Sequence, residues 1–237
     1  MIDTLSIIIP AYNEDKTIGE ILLLIDKIEL AHGIKKEVVI INDGSSDQTV
    51  ERIKESITQL DTLNIRLYHQ PGNKGKGAAI HRGIQEANGE YLIIQDADLE
   101  YDPAEYNDLL KPVFRDNADV VYGSRFIGSN PHRILFFWHS VGNKMLTFFS
   151  NMFTGLNLTD METCYKLFRS SIIKELNLKE KRFGFEPEVT ARIARIKNIK
   201  IFEVGISYYG RTYEEGKKIN ARDGFRAIWC ILKYRFF

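Results

Sequence analysis

In the stretch Tyr91-Leu-Ile-Ile-Gln-Asp-Ala-Asp98, four apolar residues run without alternation into Gln95 and two aspartates one residue apart. A short continuous apolar run stopped by charge reads as a strand buried on both faces. The pattern recurs along the first half of the chain. Leu5-Ser-Ile-Ile-Ile9 ends at Pro10, Glu37-Val-Val-Ile-Ile41 ends at Asn42-Asp43, Asn64 to His69 alternates, and Asp119 to Tyr122 ends at Gly123. Helical patterns fill the gaps. They run from Lys16 to His32 with Gly33 as a stop, from a cap at Ser46 or Asp47 to Leu60, from Lys74 to Ala87, and from Pro103 to Arg115. This alternation predicts an α/β fold, a parallel sheet with helices on both faces. Such sheets bind ligands beyond the carboxyl ends of their strands, where strand order reverses. Those positions hold Ala11-Tyr-Asn-Glu14, Asn42-Asp-Gly-Ser-Ser-Asp47, Pro71-Gly-Asn-Lys-Gly-Lys-Gly77, Asp96-Ala-Asp98 and Gly123-Ser-Arg125.

Beyond Arg125 the pattern changes. Arg133 to Phe153 is aromatic-rich and predicted helical, Phe185 to Lys197 reads as an amphipathic helix, Lys200 to Tyr208 as a strand, and Asp223 to Phe237 as a basic, aromatic helix. The 237 residues carry 32 basic and 32 acidic side chains, so the chain lacks the basic excess of a nucleic-acid binder. Cys164 and Cys230 are 66 residues apart and form no Cys/His cluster, which argues against structural zinc and for two unpaired thiols. Apolar runs fall short of the ~20 residues needed to span a bilayer, and no secretory leader is visible. With no internal repeat or linker, residues 1–237 are expected to form a single continuous domain.

Two carboxylates at i and i+2, Asp96 and Asp98, converge only where the backbone leaves strand geometry. Oxygen donors of this kind suit Mg²⁺ or Mn²⁺, which also take phosphate oxygens. A solvated aspartate turn is the plainer alternative, and the strand-end position favours the metal. Asp43 can accept from a base or ribose, or close an Asx turn; Ser46 is better read as a helix cap. The loop Pro71 to Gly77 is neither a Walker A nor a dinucleotide fingerprint. Its glycines permit close approach and Lys74 and Lys76 bring charge to a helix start, although a plain glycine turn explains it too. Arg125, Arg133, Arg211, Lys217 and Lys218 are candidates for phosphate contacts.

Taken in order, Ile8-Ile-Pro-Ala-Tyr-Asn-Glu14, Val39-Ile-Ile-Asn-Asp-Gly-Ser-Ser-Asp47, Asn73-Lys-Gly-Lys-Gly-Ala78, Asp96-Ala-Asp98, Gly123-Ser-Arg-Phe126, Leu158-Thr-Asp160 through Lys166-Leu-Phe-Arg169, Phe185-Glu-Pro-Glu188 and Tyr209-Gly-Arg-Thr-Tyr213 resemble glycosyltransferase family 2. The resemblance is specifically to its polyprenyl-phosphate branch, and it covers nearly the whole chain. It implies a GT-A fold with a mostly parallel mixed sheet. It implies hexose transfer, with inversion, from a UDP- or GDP-sugar to a dolichyl or undecaprenyl phosphate. The nearest alternative is a family member acting on a saccharide or other non-lipid acceptor. By motif, Pro10, Ala11, Tyr12, Glu14, Asp43, Lys76 and Ala97 bind the nucleotide sugar, and Asp96 and Asp98 hold the nucleotide side and an Mg²⁺ or Mn²⁺. Arg125 and Arg133 meet the acceptor phosphate, Arg211 and Lys217 the donor diphosphate. The resemblance also divides the domain into a nucleotide-sugar-binding half, 1–125, and an acceptor-binding, membrane-facing half, 126–237.

Asp160 lies in a segment that often holds a base in this superfamily. A lipid monophosphate, with a second pKa of about 6, is already ionised at neutral pH and needs no strong base. What it needs is in-line placement and relief from the donor's charge. Asp160 is therefore expected to orient acceptor or sugar. A lipid acceptor also demands membrane contact, for which Asp223 to Phe237 and Arg133 to Phe153 are candidate interfacial segments; core packing is the alternative for each. Some relatives carry transmembrane helices after the catalytic domain. Without them, this chain is expected to be peripheral on the cytoplasmic face of a membrane, to need a small membrane-protein partner, or to be truncated before an anchor.

Overall fold

The computed structural model describes residues 2–129, 131, 133, 134, 137–210 and 221–236. Among them, seven strands build one sheet: β1 (Thr4–Ala11), β2 (Lys35–Asn42), β3 (Asn64–His69), β4 (Tyr91–Ile94), β5 (Val120–Ser124), β6 (Lys166–Arg169) and β7 (Ile201–Gly205). Their order is β3-β2-β1-β4-β6-β5-β7. Every pairing is parallel except those of β6, which runs antiparallel to both β4 and β5. This is the mixed, mostly parallel sheet implied by the family resemblance.

Successive strand residues point to opposite faces, and both faces here are covered. Leu5, Ile7 and Ile9 of β1 join Val38 and Ile40 of β2 in a core with α1 (Ile18–Lys27), α2 (Thr49–Gln59) and α4 (Tyr106–Asp116). Ile8 points the other way, with Leu92, Ile94, Val120, Tyr122 and Phe168. That face packs on α3 (Lys76–Glu86), α6 (Ser170–Glu175) and α7 (Phe185–Ile193), on Ile231 of α8 (Ala221–Phe236), and on Leu146, Phe149 and Phe153 of α5 (Phe137–Thr154).

The structure departs from the sequence expectations in several places, among them α6, which no pattern announced, and α7, which ends at Ile193 instead of Lys197. The first helix stops at Lys27 instead of His32, because the Lys36 ammonium donates to the carbonyls of Ile25, Asp26 and Ile28 at 2.7 Å each and closes the helix end. His32 then takes a left-handed conformation in a separate 3₁₀ turn. The strand β6 was not foreseen at all: four residues that begin with Lys166 and end with Arg169 look like surface. Yet the Lys166 side chain is fully buried, donating to the Thr163 carbonyl and lying over the Tyr122 ring. The aromatic helix covers Phe137–Thr154 among the described residues, and Arg133 and Ile134, expected within it, lie outside helix. Cys164 and Cys230 are both free thiols.

The helix α8 buries Ala227, Cys230, Ile231 and Tyr234, the i, i+3, i+4, i+7 stripe of a packed helix, while Phe225, Trp229 and Phe236 face outward. Its anchor is Glu180, a buried carboxylate that accepts from Arg226 (2.6 Å), Tyr234 (2.7 Å) and Lys233 (3.3 Å). Burial alone would raise this carboxyl; the bonds from Arg226, Tyr234 and Lys233 outweigh it and hold the pKa down at about 2. A depressed acid contributes stability above its ordinary pKa of about 4.3 and loses it as pH falls through the folded value. Hydrogen exchange of the α8 amides should therefore accelerate as pH drops from about 4.3 towards 2, after correction for intrinsic rates. Glu180→Gln should remove that dependence and cost ~1.5–3 kcal/mol at pH 7 in urea unfolding.

Candidate active site

The chain leaves β1 to build β2 and β3 on one side and returns as β4 on the other, so strand order reverses between β1 and β4. The crevice at that point is where the loops after β1 and β4 emerge. Pro10 and Ala11 end β1, with Tyr12 beyond them, 38% exposed. Asn13 is left-handed, and this turn is laced to the loop after β2. The Asn13 amide donates to Ser45 Oγ (3.1 Å), the Ser46 amide to Asn13 Oδ1 (2.9 Å), and the Glu14 amide to Thr49 Oγ1 (2.8 Å). Gln48 is the residue at the start of α2 and offers no side-chain cap; instead Asp47, just before it, accepts from the Thr49 amide (3.0 Å), and Ser46 does not cap the helix.

Asp43 organises the neighbouring loop. Its carboxylate accepts from Gln70 Nε2 (2.9 Å) and from the amides of Lys74 and Gly75 (2.8 Å each). Two glycines of this loop, Gly75 and Gly77, answer to a packing constraint. Gly75 has φ 97° and a side chain there would strike the Lys181 carbonyl; one at Gly77 would strike the Glu180 carbonyl. The Ala78 amide donates to the Lys181 carbonyl at 3.0 Å, so two backbones pack directly against each other. That contact leaves Lys76, the first residue of α3, pointing at the loop after β4. Its ammonium lies 2.5 Å from Asp96 Oδ1 and 2.9 Å from Cys164 Sγ. Burial opposes the charge on Lys76, but Asp96 prevails and raises its pKa.

Ala97 and Asp98 are buried, and Asp98 Oδ1 accepts from the Glu100 amide at 3.1 Å, the turn that brings the second aspartate out of strand register. Among the described residues no group of three His, Cys, Asp or Glu side chains converges on a point. Asp96 and Asp98 themselves offer hard carboxylate oxygens, donors that would suit Mg²⁺ or Mn²⁺ better than zinc.

On the other side of β4, Arg125 and Asp160 form the second feature of the site. Arg125 Nε and Nη2 donate to Asp160 Oδ2 and Oδ1 at 2.6 and 2.7 Å, the Arg125 amide adds a third bond at 3.1 Å, and Asn143 of α5 bridges both partners. The side chains are 12% and 0% exposed. Burial alone would push the Asp160 carboxyl up; Arg125 overrides it and holds the pKa below its usual value. A carboxylate so engaged is a poor proton acceptor and a rigid strut. Beside it opens a cavity of about 180 Å³ lined by Arg125, Arg133, Lys144, Ser140, Phe126, Ile134 and Tyr208. Arg133 reaches it with its backbone pinned to the Tyr208 carbonyl (2.7 Å) and one guanidinium nitrogen on the Gly210 carbonyl (3.1 Å).

The structure thus brings Lys76 onto Asp96, with Asp98 at the end of the same turn, and groups Arg125 with Arg133 and Asp160. Arg211 and Lys217 lie outside the described residues. Sequence reasoning passed over Lys144, whose only signal was a cation one turn after Ser140 on an aromatic helix. It also passed over Glu162 and Cys164, both half-buried, whose polar character is unremarkable until the fold encloses the Glu162 Oε1 atom and sets Cys164 against Lys76.

The family model for glycosyl transferase family 2 matches residues 6–176. The chain belongs to that family. Similar family 2 proteins include a dodecaprenyl-phosphate galacturonate synthase of Rhizobium johnstonii, 24% identical over 98% of this chain and 67% of that protein. A dolichyl-phosphate beta-glucosyltransferase of Trichomonas vaginalis is 30% identical over 86% of this chain and 65% of its own length. The chain therefore spans about two thirds of these relatives. Among solved structures, glucosyl-3-phosphoglycerate synthase of Mycobacterium tuberculosis, in complex with Mn²⁺, UDP and phosphoglyceric acid, superimposes with a TM-score of 0.71 at 16% identity, over 99% of this chain and 79% of that one. That likeness shows the shared GT-A fold.

Asp160→Asn would leave the buried Arg125 charge uncompensated. It should lower unfolding stability by ~3–5 kcal/mol in urea titration, whereas Arg133→Ala, at an exposed position, should change it by less than ~1 kcal/mol.

Proposed function

We propose that the protein is an inverting glycosyltransferase that moves a hexose from a UDP- or GDP-sugar to a polyprenyl phosphate. The observation that carries this reading is the cationic cavity of Arg125, Arg133 and Lys144, connected to the Lys76–Asp96 pair by the segment Asp160 to Cys164. An anionic acceptor placed there faces a donor placed in the crevice. In support, the family 2 relatives are polyprenyl-phosphate sugar transferases.

The chemistry follows from the charges. An acceptor phosphate oxygen, already ionised, attacks the anomeric carbon; the bond from that carbon to the nucleoside diphosphate breaks on the opposite face, and the configuration inverts. No proton need be removed, consistent with an Asp160 locked in an ion pair. Arg125, Arg133 and Lys144 hold the acceptor against repulsion from the donor diphosphate. A divalent cation on Asp96 and Asp98, as Mn²⁺ accompanies UDP in the mycobacterial synthase, would neutralise the departing diphosphate. Lys76 fixes Asp96, while Pro10, Ala11, Tyr12, Glu14, Asp43 and Ala97 frame the nucleotide. Arg211 and Lys217 contact the diphosphate by motif alone. Residues 1–125 then form the donor half and 126–237 the acceptor half.

No helix among the described residues is long and apolar enough to cross a membrane. The helix α5 nevertheless exposes Phe137, Trp138, Val141, Met145, Phe148 and Met152 along one side, starting beside the cationic cavity. Phe225, Trp229 and Phe236 extend the apolar surface on α8, whose Arg226, Lys233 and Arg235 add positive charge. Helical spacing of three, four and seven residues puts each set on one face of its helix, and these faces would lie in a bilayer interface on its cytoplasmic side, with or without a small membrane-protein partner.

The protein incubated with Mn²⁺ or Mg²⁺, UDP- and GDP-sugars and a short polyprenyl phosphate should release nucleoside diphosphate only when the lipid is present. Asp98→Ala should lower turnover at least about a hundredfold. Lys144→Ala should raise the acceptor KM about tenfold with little change in kcat. Lipid-independent release would move the reading to a saccharide acceptor. In a separate flotation experiment, Phe137→Ser with Trp229→Ser should weaken binding to anionic vesicles about tenfold or more.

A further inference from the structure

Glu162 lies midway along the segment that joins the two sides of the site. At one end of that segment Asp160 grips Arg125 at 2.6 and 2.7 Å beside the cationic cavity. At the other, Cys164 Sγ lies 2.9 Å from Lys76, which holds Asp96 at 2.5 Å. A sugar passing from a diphosphate at Asp96 to a phosphate at Arg125 must cross this segment. One Glu162 oxygen, Oε1, is closed off from solvent and has no hydrogen-bond partner among the described residues; the hydroxyl of Thr163 is in the same position. Ionised, such an oxygen would be strongly disfavoured.

The surroundings point the same way. Asp160 on its own segment and Glu186 of α7 bring negative charge; Lys166 of β6 and Arg125 after β5 bring positive charge. Lys76 of α3 and Cys164 approach Glu186 from the donor side. Neither cation near Glu162 donates to it: Lys166 bonds the Thr163 carbonyl and covers the Tyr122 ring, and Arg125 is committed to Asp160 and Asn143. Burial first, and then Glu186, push the Glu162 carboxyl up to about 8. At neutral pH it is a protonated acid, with one hydroxyl donor and a carbonyl acceptor.

We propose that Glu162 is a sugar-positioning residue, an uncharged carboxylic acid that donates to and accepts from hydroxyls of the transferred hexose. This inference rests on the transferase reading above. No bond to carbon forms or breaks at Glu162. Its neutrality keeps a further negative charge away from the two phosphates that the reaction brings together.

Two measurements on the full chain test it. In carbon-13 NMR of glutamate-labelled protein, the carboxyl signal missing from Glu162→Gln should titrate near pH 8; titration below about pH 5.5 overturns the proposal. With Mn²⁺ at pH 7, UDP-glucose, UDP-galactose and GDP-mannose are each compared with bare UDP or GDP by calorimetry. For the sugar nucleotide that the wild type prefers, Glu162→Ala should lose about tenfold in affinity while bare nucleotide binding is unchanged. Glu162→Gln, neutral and of the same shape, should stay within about threefold of wild type. Raising the pH to 9 should weaken sugar-nucleotide binding in wild type and not in Glu162→Gln. Equal losses for bare nucleotide and sugar nucleotide in Glu162→Ala, or no loss for either, would sink the assignment while leaving the transferase reading intact. Failure of the wild type to bind any nucleotide would remove both.

Discussion

Arg125 and Asp160 meet almost out of reach of water, and a buried pair of this kind holds only when its protons and lone pairs are used. Here two side-chain bonds, one backbone amide and the Asn143 amide meet that demand. The consequences spread outward. Asn143 ties the pair to α5, so the position of that helix, and with it the wall of the cationic cavity, is set by the same contact. The Asp160 backbone is held as well, its amide donating to Glu203 of β7 at 3.1 Å. From that fixed point the chain continues through Glu162 to Cys164 and into β6.

The antiparallel β6 gives this arrangement its shape. Wedged between β4 and β5, it carries the segment 160–165 to the edge of the sheet where the parallel strands deliver their carboxyl ends. A polar interior follows: Lys76, Cys164, Lys166 and Glu162 all lie close enough to Glu186 for its charge to shift their pKa values. Such a cluster is costly unless its members are paired or neutral. Lys76 and Asp96 pair, Asp160 pairs with Arg125, and Glu162 stays protonated.

A second chain of contacts reaches the same place from the surface. The Glu180 carboxylate anchors α8 through Arg226, Lys233 and Tyr234, while the backbone at Glu180 and Lys181 rests on Gly75 and Gly77. Lys76 sits between those glycines. The helix that shows Phe225 and Trp229 to the outside is thus one residue's backbone away from the loop that places Lys76 on Asp96.

Much of the fold was legible because its signals are local. Apolar runs such as Tyr91 to Ile94 and 3.6-residue periodicity need only neighbouring residues, and loop residues follow strands by position alone. Asp96, Asp98, Arg125 and Asp160 were singled out in this way. Their partners were not, since Asp43 meets Gly75 across 32 residues and Arg125 meets Asp160 across 35. The early end of α1 depended on Lys36, β6 on a lysine that finds an aromatic ring and a carbonyl in the interior, and the interest of Glu162 on burial that no composition reveals. The sequence by itself determined the order of elements and which side chains reach the carboxyl edge of the sheet. The tertiary structure alone decided which of those side chains are struts, which line the cavity, and which acid keeps its proton, because hydrogen bonding and desolvation depend on neighbours that only folding brings together.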